Sequence, residues 1–103
     1  MVMNCYFIAN IRIHDAEEYQ KYLAEAEGIF RKYNGKYLAV DGEPVCLEGN
    51  WDYTRTVLIR FESRDDFYAW YNSGKYQRIL RVRLSAADCD SILLKGLLDN
   101  TRE

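Results

Sequence analysis

Few side chains in this 103-residue chain combine a reactive type with a suggestive position. His14 is the single histidine, and its ordinary pKa near neutrality suits proton transfer, so it could serve as a general base at a pocket mouth. A solvated residue just ahead of a helix cap is the plainer expectation for it. Arg83 carries a planar fork able to hold an anionic group through two parallel hydrogen bonds. Tyr22, Trp70 and Tyr71 could form facing aromatic walls around a ligand, with Arg83 or His14 making the polar contact. Glu48 and Arg55 flank a loop and could touch a substrate, although a surface ion pair is the simpler expectation. These types assign no catalytic residue. The ligand-binding candidates are Tyr22, Trp70, Tyr71, Arg83 and His14.

Other chemistries have no sequence support. Cys5, Cys46 and Cys89 are too far apart for a CxxC pair or a zinc-ligand spacing, so no metal site is expected. An odd number of separated cysteines reads as reduced thiols in a cytoplasm. Phosphate-binding loops, nucleophile elbows and carboxylate-rich metal motifs are absent from the sequence. The net charge of −2 gives nucleic acid or an anionic membrane no strong field to follow. The start of the chain lacks a basic leader region, and no apolar run has the length of a membrane span, so neither a signal peptide nor a membrane segment is expected.

The elements that must position the candidates follow from periodicity. Cys5 to Ile13 is rich in β-branched and aromatic residues and reads as a strand. Asp15-Ala-Glu-Glu18 has the form of a capping box, with Glu18 reaching back. Tyr19, Tyr22, Leu23, Ala26, Phe30 and Tyr33 then recur at helical spacing, and Asn34-Gly35 supplies a left-handed stop. Lys36–Val40 and Arg55–Phe61 are further strands, with Val45–Gly49 a candidate hairpin arm between them. Ser63 starts a second helix carrying Phe67, Trp70 and Tyr71. Ser73-Gly74 breaks or bends it before it continues through Tyr76, Ile79, Leu80, Arg83 and Leu84, and Asp90–Gly96 is the last strand.

The order βαββαβ predicts a ferredoxin-like α+β fold. One four-stranded antiparallel sheet, in spatial order 4-1-3-2, should have both helices (near Asp15–Tyr33 and Ser63–Ala87) on one face. A single domain is expected over residues 1–98, with 99–103 as a flexible tail. On the first strand Phe7, Ala9, Ile11 and Ile13 face the helices. Tyr6, Ile8 and Leu58 lie on the other side and would leave an apolar patch on a monomer, so a homodimer closed over that face is expected.

The strand Arg55-Thr-Val-Leu-Ile-Arg-Phe-Glu-Ser63 followed by Trp70-Tyr-Asn-Ser-Gly-Lys-Tyr-Gln77 resembles the signature of a family catalogued as a domain of unknown function, number thirteen-thirty. Val45–Trp51 and Asp88–Gly96 also fit its pattern, so the resemblance spans nearly the whole chain. Gly74 stands where that family usually has proline. The resemblance implies a dimeric α/β barrel of the kind shared with cofactor-free monooxygenases, muconolactone isomerases and haem-degrading enzymes. It carries no catalytic residues to transfer.

Haem-degrading relatives place an asparagine on the first strand, a tryptophan on the second helix and a histidine ligand later on that helix. Asn10 and Trp70 could imitate the first two. The later helix offers Ile79, Leu80 and Arg83 but no histidine, so no haem or other cofactor is expected. An RNA-recognition domain shares the element order, yet Arg55–Phe61 lacks the exposed aromatics such a domain stacks on bases.

Two function classes follow. One is a small cofactor-free enzyme, a monooxygenase or isomerase acting on a small organic metabolite. The other is a non-catalytic dimeric module that binds a small molecule. The nine tyrosines could line a pocket for a planar ligand or could simply be core.

Overall fold

Phe7, Ala9 and Ile11 are buried on one side of the first strand, while Tyr6, Ile8 and Asn10 on the other side are only half-buried. This period-two pattern fixes which face of the sheet the helices cover. In the computed structural model, which describes residues 3–97, the elements are β1 (Cys5–Ile13), α1 (Ala16–Arg31), β2 (Gly35–Asp41), β3 (Arg55–Phe61), α2 (Arg64–Tyr71), α3 (Gly74–Ala86) and β4 (Ala87–Lys95). The strands form one antiparallel sheet in the order β2-β3-β1-β4, the predicted arrangement read from its other edge. The fold is α+β and ferredoxin-like. The expected tail at 99–103 lies outside the described residues.

Helix ends are set by identifiable hydrogen bonds. The Asp15 side chain accepts from the Glu18 amide at 3.1 Å, as a cap should. Glu18 does not reach back. The Asp15 amide instead donates to the Ala86 carbonyl at 3.1 Å, and Glu18 pairs with Lys21 at 3.0 Å. At the far end of α1, Asn34 alone takes the left-handed conformation, with φ of 64°. Gly35 serves a different need: a Cβ there would meet the Phe61 ring at 2.7 Å.

The second helical segment is divided at Asn72–Ser73. Ser73 has extended backbone, its hydroxyl donates to the Trp70 carbonyl at 2.8 Å, and it accepts from the Tyr76 amide at 3.1 Å. One side chain therefore closes α2 and caps α3. Gly74 is the first residue of α3, where a proline needs no amide donor and finds its φ already suitable. The proline that the resemblance implies at this place would suit it.

No hairpin arm forms at Val45–Gly49. The segment from 42 to 54 is irregular, and Val45 and Leu47 point into solvent. Register also enlarges the uncovered sheet face. Ile8 lies opposite both Leu58 and Ile92, and Tyr6 lies opposite Leu94, so Ile92 and Leu94 join the apolar patch.

Candidate functional site

Between the sheet and the helices lies a largely enclosed cavity of about 20 Å³. Strands β1 and β3 supply its apolar floor. Tyr19 and Tyr22 reach it from α1, Arg83 from α3, Tyr37 from β2 and Arg55 from the start of β3. Larger hollows of about 310 and 350 Å³ are open depressions of the surface, beside Asn4 and Arg64 and between α1 and α3. Neither gathers buried polar groups as the small cavity does.

The helical stripe of α1 turns Tyr22 inward, and the break at Ser73 sets α3 beside α1. The Tyr22 and Tyr76 hydroxyls meet at 2.8 Å. The Arg83 guanidinium lies 5.8 Å from the centre of the Tyr22 ring, and that of Arg55 lies 5.9 Å from the Tyr19 ring. Arg83 is only 3% exposed, and its Nε has no hydrogen-bond partner; the buried Nε of Arg55 is also unpartnered. Neither arginine enters an ion pair among the described residues.

Electrostatics keep these groups in defined states. Burial raises Tyr22 well above the ordinary phenol value; its neighbour Tyr76 adds to this and Arg83 opposes it. Burial also raises Tyr76, Tyr19 and Tyr37, with Arg83 opposing at the first and Arg55 at the other two. For Arg83 burial disfavours the charge, but Tyr76, Tyr22 and Cys89 more than offset it, so the guanidinium stays ionised. At neutral pH the cavity therefore presents positive charge and hydroxyl donors. Such a lining can stabilise a negative oxygen, and none of its described residues is a carboxylate or imidazole base.

The sequence candidates divide accordingly. Tyr22 and Arg83 line the cavity together. Trp70 does not: it is 1% exposed and packed among Phe7, Phe30, Phe61, Phe67 and Tyr76. Tyr71 stacks on Phe67 at the edge of that aromatic cluster. His14 is exposed at the end of β1, outside the cavity lining. No Glu48–Arg55 ion pair is present; Arg55 turns inward instead because it shares strand parity with Val57, Ile59 and Phe61. That parity was the available signal for Arg55. Asn10 is on the outer sheet face, bonded to Thr56 at 3.2 Å, and so lies across the sheet from Trp70.

A family pattern described as domain of unknown function (DUF1330) matches residues 4–97. The chain belongs to this family. Several solved structures share the fold. The RPA0582 protein of unknown function from Rhodopseudomonas palustris superposes with a TM-score of 0.79 at 20% identity, covering 94% of this chain and 85% of its own. A dimeric ferredoxin-like protein of unknown function from Thermobifida fusca gives 0.66 at 17% identity, with 92% of each chain covered. SnoaB, a cofactor-independent oxygenase from Streptomyces nogalater, gives 0.68 at 11% identity over 95% of this chain and 97% of that one. At these identities the likeness is one of fold. No curated protein matches the chain.

Proposed function

We propose that this chain is a small enzyme that works without a cofactor, of monooxygenase or isomerase type, on a small organic metabolite held against Tyr22 and Arg83. The carrying observation is the convergence on one largely enclosed cavity of two guanidinium groups that each have an unpartnered buried Nε and no ion pair among the described residues. Such donors stabilise the oxyanion or enolate that both reaction types develop. The shared fold with a cofactor-independent oxygenase supports the same direction.

A second reading, a non-catalytic binding module, is favoured by one observation. The cavity is small and its described lining lacks a base, so ligand capture alone would suit it. Thermal-shift screening against quinones, phenols and lactones, followed by turnover of each hit, separates the two. Turnover of a hit supports the enzyme; binding without turnover supports the module; no hit at all sinks both.

The functional unit on this reading is a homodimer in a cytoplasm, with the cysteines reduced. A second sheet would cover Tyr6, Ile8, Leu58, Ile92 and Leu94. Stable interfaces of this type bury about 2,000 Å² or more in total. A sedimenting monomer at micromolar concentration would remove this part of the proposal.

A further inference from the structure

On the reading that a small molecule sits between sheet and helices, we infer that the ligand is a small organic anion, its charged oxygen held between Arg83 and Arg55. A carboxylate and the ionised oxygen of an acidic enol or phenol share this chemistry.

A guanidinium taken out of water needs hydrogen-bond acceptors or a counter-charge, because an unpaired buried charge is costly. Arg83 is almost fully buried, and the nearby phenols of Tyr22 and Tyr76 are neutral at physiological pH. The Cys89 thiol beside it is also held neutral, chiefly by burial. Arg55 meets Tyr19 and Tyr37, which are neutral as well. The carboxylate that acts on Tyr37 belongs to Glu27, and it is paired with Arg31 at 3.3 Å. Two positive charges thus converge on one cavity with no negative group of the described residues to balance them. An anion completes the arrangement, and the planar guanidinium fork favours a planar carboxylate or enolate.

Size and exposure give the direction of entry. The cavity takes about one water-sized group, which matches a charged head rather than a whole metabolite. Among the lining residues only Tyr37 and Arg55 are half-buried; the rest are buried. The mouth therefore lies at Tyr37 and Arg55. Arg83 is the fixed inner contact, and Arg55 is the outer one, free to swing aside as the ligand body follows its head.

The test is the arginine Nε–Hε resonances of the full chain, followed while benzoate or sorbate is added, with benzamide and sorbamide as uncharged probes of the same shape. Arg83→Gln and Arg55→Gln assign the two signals, and Arg55→Gln serves alone should Arg83→Gln not fold. The expected result is saturable movement of both signals by a carboxylate. The amides should bind about tenfold more weakly or worse, as for a lost charged hydrogen bond, and Arg55→Gln should weaken the carboxylate similarly. Amides binding as tightly as the acids would overturn the anion and leave the site standing. Movement with only a neutral quinone or lactone would do the same. If no compound moves either signal, the proposed site falls with the inference.

Discussion

The Tyr22 and Tyr76 hydroxyls share a 2.8 Å hydrogen bond across the seam between α1 and α3, beneath the guanidinium of Arg83. Neither helix could place this bond alone. It requires the break at Ser73, which lets α3 run beside α1 with Tyr76 on its first turn.

Removing one of the two hydroxyls strands the other in the core. Tyr22→Phe or Tyr76→Phe should each cost about 1–3 kcal/mol, whereas the double variant should lose less than the sum of the singles. Urea denaturation of all four proteins measures the coupling, and additive losses would mean that the bond does not form.

Burial chiefly raises Tyr22, Tyr76, Tyr19 and Tyr37 above their ordinary value of 10.0. Folded phenols therefore keep protons that unfolded ones lose. Stability should be fully present below that value and fall as pH climbs from it toward the raised values. The thiols of Cys5 and Cys89, raised from 9.0, act in the same direction. Denaturation midpoints across alkaline pH should decline more gently in the Tyr22→Phe/Tyr76→Phe protein. A flat alkaline profile in the parent would contradict the burial of these groups.

Trp70 is a packing residue, and its ring centre lies 4.1 Å from that of Tyr76. Trp70→Ala should cost about 3–5 kcal/mol. A loss much below this range, together with weakened binding of a screened ligand, would place the tryptophan in the site instead.

Gly74 begins α3 with open space where a Cβ would stand, and Ser73 before it is already extended, with ψ of 149°. Gly74→Pro should therefore raise stability by about 0.4–1 kcal/mol. Thermal melting compares the two directly, and a lowered midpoint would show that the first turn of α3 differs from the one described.

The architecture was legible because alternation and capping signals agree. Cys5–Ile13 and Arg55–Phe61 carry clean period-two patterns, and the strand order follows from two right-handed βαβ units. The site was legible only in part. Tyr22 and Arg83 lie on inward helical stripes, so periodicity reached them. Tyr76 read as core, and its partner hydroxyl is 54 residues away, beyond any local pattern. Arg55 beside a loop reads as a member of a surface ion pair with Glu48, whereas its strand parity carries it to the inner face. Trp70 and Tyr71 share an inward helical stripe that reads as an aromatic wall of the site. A stripe does not distinguish a pocket wall from a packed core ring, and Trp70 is the latter.

A crystal of the protein soaked with the strongest compound from the thermal-shift screen tests the central claim most directly. The ligand should lie between the sheet and the helices, with a polar atom within hydrogen-bond distance of Arg83 or Tyr22 and with Arg55 displaced to admit it. A ligand found instead in the open hollow beside Asn4, Ser63 and Arg64, with Arg55 and Arg83 unmoved, would contradict it.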